Sequence, residues 1–429
     1  MRRPPYPDGV RRAAPWVTLA TALLVAPLVA PVAATAAPAA PLPASADPME
    51  TQRVQLALLD DVARWDTLQS VSRLGSTTIE PETGAITIGW VGDVPDAVRT
   101  LAAADGVTVE FVEEAQSAES LSSSLLDAAT SLPSDAPVTF EVDGESVTVA
   151  VPTPEAAEAA GVEALPLDAA GVAAIEDAVA EATGSGVDVT VEPVEDVPDT
   201  TARRGDVQNL LGGSTYATRL PSGANQWCTS GFQAVSGHFQ HFITAAHCSN
   251  WADGLSVLAS GGQTLGVTTG ADVLVRGADS YDLQLVRLGL DVRNRPDIYT
   301  SDSSSLRVSG WLRSLPAGTY LCKSGTTSGN VCNLQVTGPG VACYGLARGG
   351  AQCVDIVRVT STSGTAFCLG DSGGPVYAWG DGGTVLAAGV VSGVRLAAAG
   401  DRCSTLGYLA PIADLMRVLP GVQLRAVTL

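Results

Sequence analysis

Lysine, histidine and glutamate are scarce or unevenly placed in this chain of 429 residues. Lysine occurs once, histidine occurs three times, and residues 205–429 contain no glutamate. The net charge is −21 and no basic stripe interrupts the acidic surplus, which argues against nucleic acid as a partner. Three histidines offer few candidate ligands for a metal centre, because such a centre needs several ligands at suitable spacing. We therefore expect no metal and no cofactor.

Residues 47–204 also lack cysteine, histidine and lysine, and they contain no cluster of side chains that could carry chemistry. They hold 31 acidic residues and six arginines, whereas residues 205–429 hold 13 acidic and 14 basic residues. All eight cysteines lie between Cys228 and Cys403. Because charge and cysteine content change at the same place, we expect an acidic domain over 47–204 and a second domain over 205–429.

The chain has one long apolar run, near its N-terminus. Two arginines precede residues 16–32, which are apolar, and the small-x-small site Ala34-Thr35-Ala36 follows. This pattern predicts a signal peptide over residues 1–36, with Ala44-Ser45-Ala46 as a later cleavage site. Two prolines inside the run favour cleavage over a membrane anchor, and no later segment is apolar for long enough to span a bilayer. Export would allow the eight cysteines to pair as disulfides.

The two domains differ in their secondary-structure signals. In the acidic domain, helix and strand patterns alternate, and Asp143-Gly144 marks a hairpin turn, so we expect a small α+β arrangement. Predicted strands cover 77–91, 107–112, 138–151 and 187–191, and predicted helices cover 95–104 and 169–182. The second domain has short β-branched runs between turns, such as 266–275 and 282–288, and one helix signal at 412–418. Closed or packed β-sheets are expected there.

The most specific motif is Gly370-Asp371-Ser372-Gly373-Gly374-Pro375. A serine nucleophile needs an exposed hydroxyl, a base to take its proton, and backbone N–H groups directed at the developing oxyanion. Glycines around the serine let the backbone turn tightly and approach the substrate. We therefore predict Ser372 as a nucleophile.

A second motif, Ile243-Thr244-Ala245-Ala246-His247-Cys248, contains a candidate base. The alternatives for His247 are a buried structural residue and a metal ligand. The other two histidines, His238 and His241, are three residues apart in an expected strand or loop, where their side chains would diverge. A nucleophilic serine requires a base, so His247 is predicted to fill that role.

The base needs a carboxylate to orient its ring. Asp282 is the first residue of the segment 282–288, in which apolar side chains alternate, so it lies at the start of a predicted half-buried strand. Asp279 is the alternative, in a more polar turn. Asp282 is the predicted third member.

In the order His, Asp, Ser, these motifs resemble the chymotrypsin-like serine proteases. Residues 321–329, followed by Cys332, are similar to the CKSGxTTG segment of the bacterial branch that includes streptogrisins and α-lytic protease. The resemblance covers residues 210–429 and implies an all-β double β-barrel with the active site in the cleft between the barrels. The acidic region before it is similar in kind to the pro-segments of that branch.

The resemblance also implies roles for individual residues. The N–H groups of Gly370 and Ser372 would form the oxyanion hole, and Lys323 would pair with Asp371. Ser392 would support the buried aspartate and begin the substrate-binding strand. The substrate pocket would consist of Ala366, Ser392, Gly393, Val394 and Leu406. Without an acid at its floor, this pocket predicts cleavage after small or medium apolar residues, although a slip of one residue would put Gly407 in the place of Leu406.

Disulfides and processing follow from the same resemblance. It selects the pairs Cys228–Cys248, Cys322–Cys332 and Cys368–Cys403, which leaves Cys343–Cys353 as the fourth. The segment Leu210-Leu211-Gly212-Gly213 only loosely matches the opening of the mature enzymes, and Arg203-Arg204 is a dibasic alternative for the processing site.

The resulting hypothesis is a secreted, monomeric serine endopeptidase that acts on proteins or peptides through an acyl-enzyme. Residues 47–204 would serve as its pro-region, both folding aid and inhibitor. One alternative is an inactive homologue that binds a partner, but such proteins usually lack a triad member and none is missing here. Another is an esterase, whose Gly-x-Ser-x-Gly elbow needs a strand–helix turn that the sequence around Ser372 does not indicate.

Overall fold

Helices and strands alternate in the N-terminal part of the protein. This computed structural model describes residues 47–103, 107–132, 138–143, 146–160, 164–184, 187–194, 209–274, 280–301, 304–345, 351–396 and 401–427. The N-terminal elements are α1 (Pro48–Thr67), β1 (Leu74–Glu80), β2 (Ala85–Trp90), α2 (Asp96–Ala102), β3 (Thr108–Glu113), α3 (Ala118–Ser131), β4 (Thr139–Asp143), β5 (Ser146–Pro152), α4 (Pro154–Ala160), α5 (Ala169–Thr183) and β6 (Asp188–Val194). The expected small α+β region is confirmed. The predicted signal peptide and Arg203-Arg204 lie outside the described residues.

Helix α1 begins and packs for local reasons. The Asp47 side chain accepts a hydrogen bond from the Met49 N–H, and Pro48 occupies a position where a missing N–H costs nothing. Its apolar face includes the buried Leu58, Leu59 and Val62. The helix thereby covers the first small sheet, in the order β1-β2-β3.

The C-terminal part is almost entirely β. Its strands are β7 (Asn209–Gly212), β8 (Thr215–Arg219), β9 (Asn225–Thr229), β10 (Gln233–Ser236), β11 (Phe239–Thr244), β12 (Ser256–Ala259), β13 (Thr264–Thr269), β14 (Gln284–Leu288), β15 (Arg293–Tyr299), β16 (Ser305–Trp311), β17 (Tyr320–Gly325), β18 (Gly329–Gly345), β19 (Ala351–Ser361), β20 (Phe367–Cys368), β21 (Pro375–Trp379), β22 (Val385–Arg395), β23 (Cys403–Ser404), β24 (Leu406–Pro411) and β25 (Val422–Leu424). The helices are α6 (Ala271–Leu274) and α7 (Ile412–Val418). The strand predicted over 266–275 is wrong in its second half, where α6 lies.

Two sheets close on themselves in this part. In the first, β8 pairs with β12, and the order continues through β13, β14, β11 and β10. Strand β9 pairs with β8 and leads directly into β10, which closes the ring. In the second, the pairs β17·β18, β18·β19, β19·β24, β24·β22, β22·β21 and β21·β17 complete a six-stranded ring. The chymotrypsin-like double barrel is therefore confirmed.

The N-terminal region packs directly on the second barrel. Strand β4 pairs antiparallel with β18, so the sheet β6-β5-β4 continues into the barrel. Gln52 exchanges two side-chain hydrogen bonds with the backbone of Tyr320, at 3.0 and 2.7 Å. Trp90 and Leu321 share one buried apolar cluster. No helix within the described ranges is long and apolar enough to cross a membrane.

Candidate active site

Strand pairing brings His247 and Asp282 to the same end of the first barrel. Thr244, the last residue of β11, pairs with Gln284, the first residue of β14. His247 lies just after the first of these strands and Asp282 just before the second. The two residues meet twice: the His247 backbone N–H donates to Asp282 Oδ1 at 2.8 Å, and Nδ1 lies 2.7 Å from Oδ2.

Asp282 is fully buried, so each of its oxygen atoms needs a donor. In addition to the contacts with His247, the Ser392 hydroxyl donates a hydrogen bond to Oδ2 of Asp282, at 2.7 Å. This contact links the second barrel to the first, because Ser392 lies on β22. The rival acid Asp279 lies outside the described residues.

The loop around Ser372 lies beside His247. The Ser372 carbonyl accepts a hydrogen bond from the Thr229 N–H at 2.8 Å, and it lies 3.9 Å from Sγ of Cys248, which is disulfide-bonded and has no proton to donate. Gly373 has a φ of 81°, and a Cβ there would come within 2.0 Å of Thr244 Oγ1, so only glycine fits. In the described part of the chain, no hydrogen bond joins the Ser372 hydroxyl to the His247 ring, and the N–H groups of Gly370 and Ser372 donate to no protein atom.

Lys323 and Asp371 form a buried ion pair beneath this loop. Nζ of Lys323 lies 2.7 Å from Oδ2 of Asp371. The backbone N–H of Cys368 also donates to Oδ2, at 2.9 Å, and those of Thr327 and Ser328 donate to Oδ1, at 3.0 and 3.1 Å. The Ser328 hydroxyl adds a contact of 2.6 Å to Oδ2. The Asp371 carboxylate, which immediately precedes Ser372, is therefore fixed by donors from strands β17 and β20 and from the turn between β17 and β18.

Tyr344 contacts the site, although it belongs to none of the sequence motifs. Its ring stacks on His247 with 5.5 Å between the ring centroids and 17° between the planes. Its hydroxyl lies 2.8 Å from Ser392 Oγ. Because Ser392 gives its proton to Asp282, Tyr344 must be the donor in this contact. Burial raises the pKa of Tyr344, and the charge of Asp282 raises it further, so the hydroxyl stays protonated.

The proposed pocket residues are only partly brought together. Ala366 and Val394 are buried in one apolar cluster with Phe367, a residue that the sequence did not single out. Gly407 pairs with Val394 across the strands, and a Cβ on Gly407 would strike the Phe367 ring at 2.3 Å. Leu406 instead packs against a different cluster, which contains Tyr408. Leu406 is therefore not the wall opposite Val394.

Four disulfides connect the eight cysteines. They join Cys228–Cys248, Cys322–Cys332, Cys343–Cys353 and Cys368–Cys403. Among the described residues one group has metal-ligand proximity, formed by Cys228, His247 and Cys248. Both of its cysteines are disulfide-bonded, so they are not free to bind a metal as thiolates.

Residues 219–419 match the sequence profile of the family described as Trypsin. The chain carries a trypsin-family domain. It is similar to Serine protease 1 of Streptomyces fradiae, with 25% identity over 278 residues, which is 56% of this chain and 74% of that protein. Glutamyl endopeptidase 2 of Streptomyces griseus is 26% identical over 184 residues, or 39% of this chain and 91% of that protein. The crystal structure of Thermobifida fusca Protease A is 25% identical, with a TM-score of 0.37, and the match covers 51% of this chain and 100% of that one.

Proposed function

We propose that this serine endopeptidase uses Ser372 as nucleophile, His247 as general base and Asp282 as the group that orients His247. The observation that carries the proposal is the pair of contacts between Asp282 and His247, at 2.8 and 2.7 Å. They hold the ring with Nδ1 directed at the carboxylate, so Nε2 is the nitrogen left to take a proton.

In this reaction His247 takes the Ser372 proton as Oγ attacks the scissile carbonyl. The negative charge that develops on the carbonyl oxygen is stabilised by the N–H groups of Gly370 and Ser372. The protonated ring then gives its proton to the leaving amine, which departs from the acyl-enzyme. Water, activated by the same ring, releases the acid and restores Ser372.

The pocket supports cleavage after small or medium apolar residues. Ala366 and Val394, the residues proposed for its floor and wall, are apolar and uncharged. We do not extend the specificity in the name of glutamyl endopeptidase 2 to this chain, because none of the residues proposed for the pocket has a basic side chain.

We also propose that the enzyme is secreted and that residues 47–204 are its pro-region, both folding aid and inhibitor. Four disulfides are typical of exported proteins. The pairing of β4 with β18 supports a templating role, since it adds the N-terminal sheet to an edge of the second barrel. To test it, residues 205–429 are refolded alone and with the acidic segment added in trans. Equal yields of active enzyme would exclude the folding role.

Labelling separates the triad proposal from its alternatives. A sulfonyl fluoride should modify Ser372, and the purified protein should cleave casein as well as simple esters. An inactive homologue would show neither labelling nor cleavage. An esterase would be labelled and would hydrolyse esters while leaving casein intact.

A further inference from the structure

A carboxylate from the N-terminal region is buried against the second barrel. Glu141 lies on β4, and only 4% of its side chain is exposed. Arg358 Nη1 donates to Oε2 at 2.9 Å, and Arg395 Nη1 lies 3.2 Å from both carboxylate oxygens. The Tyr408 hydroxyl donates to Oε1 at 2.8 Å. Three side chains of the barrel thus converge on one carboxylate.

The barrel holds two of these donors, Arg358 and Tyr408, in position. Tyr408 on β24 pairs in register with Arg358 on β19 and with Gly393 on β22. Arg358 Nε also donates to Thr337 Oγ1 at 2.8 Å, which fixes its guanidinium plane. Burial raises the pKa of Tyr408, and Glu141 raises it further, so the hydroxyl is a neutral donor. The barrel itself therefore positions Arg358 and Tyr408, whereas Arg395 is held by Glu141 and Glu192 of the N-terminal region.

The donors lie at the end of the strand with which a substrate would pair. Arg395 directly follows Val394, and a Cβ on Gly393 would be 3.3 Å from Tyr408 Cδ2. An extended peptide advances about 3.3 Å per residue. If the peptide residue just before the scissile bond lies beside Ser392, the third or fourth residue before that bond lies beside Arg395.

Among the described residues, these arginines form ion pairs only with carboxylates of the N-terminal region, so its departure would remove those counter-charges. Arg395 Nη2 also contacts Glu192, at 2.6 Å, but Glu192 lies on β6 and would leave together with Glu141. Arginine stays protonated, and a partly buried charge without a partner is costly. A new carboxylate is the ligand that such a site would bind best.

We propose that Arg358, Arg395 and Tyr408 form a carboxylate-binding subsite. Glu141 occupies it in the full chain, and an acidic side chain of the substrate occupies it once the N-terminal region has left. That side chain belongs to the third or fourth residue before the scissile bond. The inference rests on the proposed function, because it requires a peptidase that separates from this region.

The test uses the active form that accumulates in the medium when the full chain is expressed. Its kcat/KM is measured on peptides that differ only by Glu or Gln at the second, third or fourth residue before the scissile bond. We expect Glu to be preferred by about tenfold or more at the third or fourth residue, as for charge-assisted hydrogen bonds, and not at the second.

Three variants assign the preference to the subsite. Arg395→Gln should abolish it, and Tyr408→Phe, which removes a single hydroxyl, should reduce it in part. Arg307→Gln is the matched control, because Arg307 is exposed on β16 and its loss removes the same charge elsewhere. The control should keep the preference for Glu.

The possible failures are distinguishable. Equal cleavage of Glu and Gln peptides at every position, by an enzyme that cleaves both, overturns the subsite. So does an active form that keeps its N-terminal region bound, because Glu141 then never leaves. Absence of both peptide cleavage and Ser372 labelling overturns the proposed function instead.

Discussion

Nζ of Lys323 lies 2.7 Å from Oδ2 of Asp371, and neither side chain has any exposed surface. Asp371 immediately precedes Ser372 in the chain, so the ion pair is part of the loop that carries the proposed nucleophile. Lys323 is the only lysine in the protein. No other lysine could replace it as the partner of this carboxylate.

We predict that Lys323→Ala destabilises the protein by about 3–5 kcal/mol, because it leaves a buried carboxylate without its counter-charge. Urea unfolding in a Ser372→Ala background, which prevents self-cleavage, measures the change. The control is Arg64→Ala, since Arg64 forms an exposed ion pair with Asp60. This substitution should lower the free energy of unfolding by less than about 1 kcal/mol. Equal stability of the Lys323 variant and the parent would show that the pair contributes nothing.

Ser372→Ala should abolish peptidase activity and any self-processing. Loss of a triad residue typically lowers turnover by about six orders of magnitude. The measurement is casein cleavage by the purified variant, together with N-terminal sequencing of the secreted form. Normal processing in a pure preparation of the variant would argue against self-cleavage.

The contact between Glu141 and the second barrel should stabilise the full chain strongly. Glu141→Gln keeps the shape of the side chain but removes the charge that faces Arg358 and Arg395. We expect a loss of about 3–5 kcal/mol in the free energy of unfolding. Glu192→Gln is the control, because Glu192 is 49% exposed in its contact with Arg395 and should matter by less than about 1 kcal/mol. Equal effects of the two substitutions would contradict the role of burial.

Periodicity predicted some of the elements whose buried face is apolar, although it missed helix α3, which buries Leu125 and Leu126. The helix expected over 169–182 corresponds to Ala169–Thr183, and the one expected over 412–418 is Ile412–Val418. Helix α1 was not predicted, because its buried face includes Thr51, Gln52 and Gln55. Gln52 and Gln55 bind distant backbone carbonyl groups, which no local pattern reveals.

The residues of the site likewise divide into those that the sequence indicated and those that only the fold brings together. Short motifs around His247 and Ser372 indicated their chemistry, because nucleophile, base and tight turn need particular residues in a fixed order. Tyr344 was missed, since it reaches His247 only through the pairing of barrel strands almost a hundred positions away in sequence. Glu141 could not be singled out among 31 acidic residues of its region. Its importance depends on two arginines that the fold alone brings together.

The substrate pocket leads to the last prediction. Val394 is buried, with 8% exposure, in the same cluster as Ala366 and Phe367. Because Leu406 packs elsewhere, Val394 is the residue whose side chain narrows the proposed pocket, and we expect Ala or Val before the scissile bond to be preferred over Phe. Val394→Gly should shift this ratio toward Phe by about ten- to hundredfold, since apolar pockets discriminate by about 1–3 kcal/mol per methylene.

The measurement is kcat/KM for peptides that differ only at the scissile residue. Val422→Gly is the control, because Val422 is also 8% exposed but lies on β25 in the first barrel. It should lower stability and leave the ratio between Phe and Ala peptides unchanged, since it does not touch the pocket. A parent enzyme that cleaves after Phe faster than after Ala would refute the narrow pocket. Preference for Arg or Lys would refute the apolar floor at Ala366 as well, because a cation there would need a buried counter-charge that these side chains do not provide.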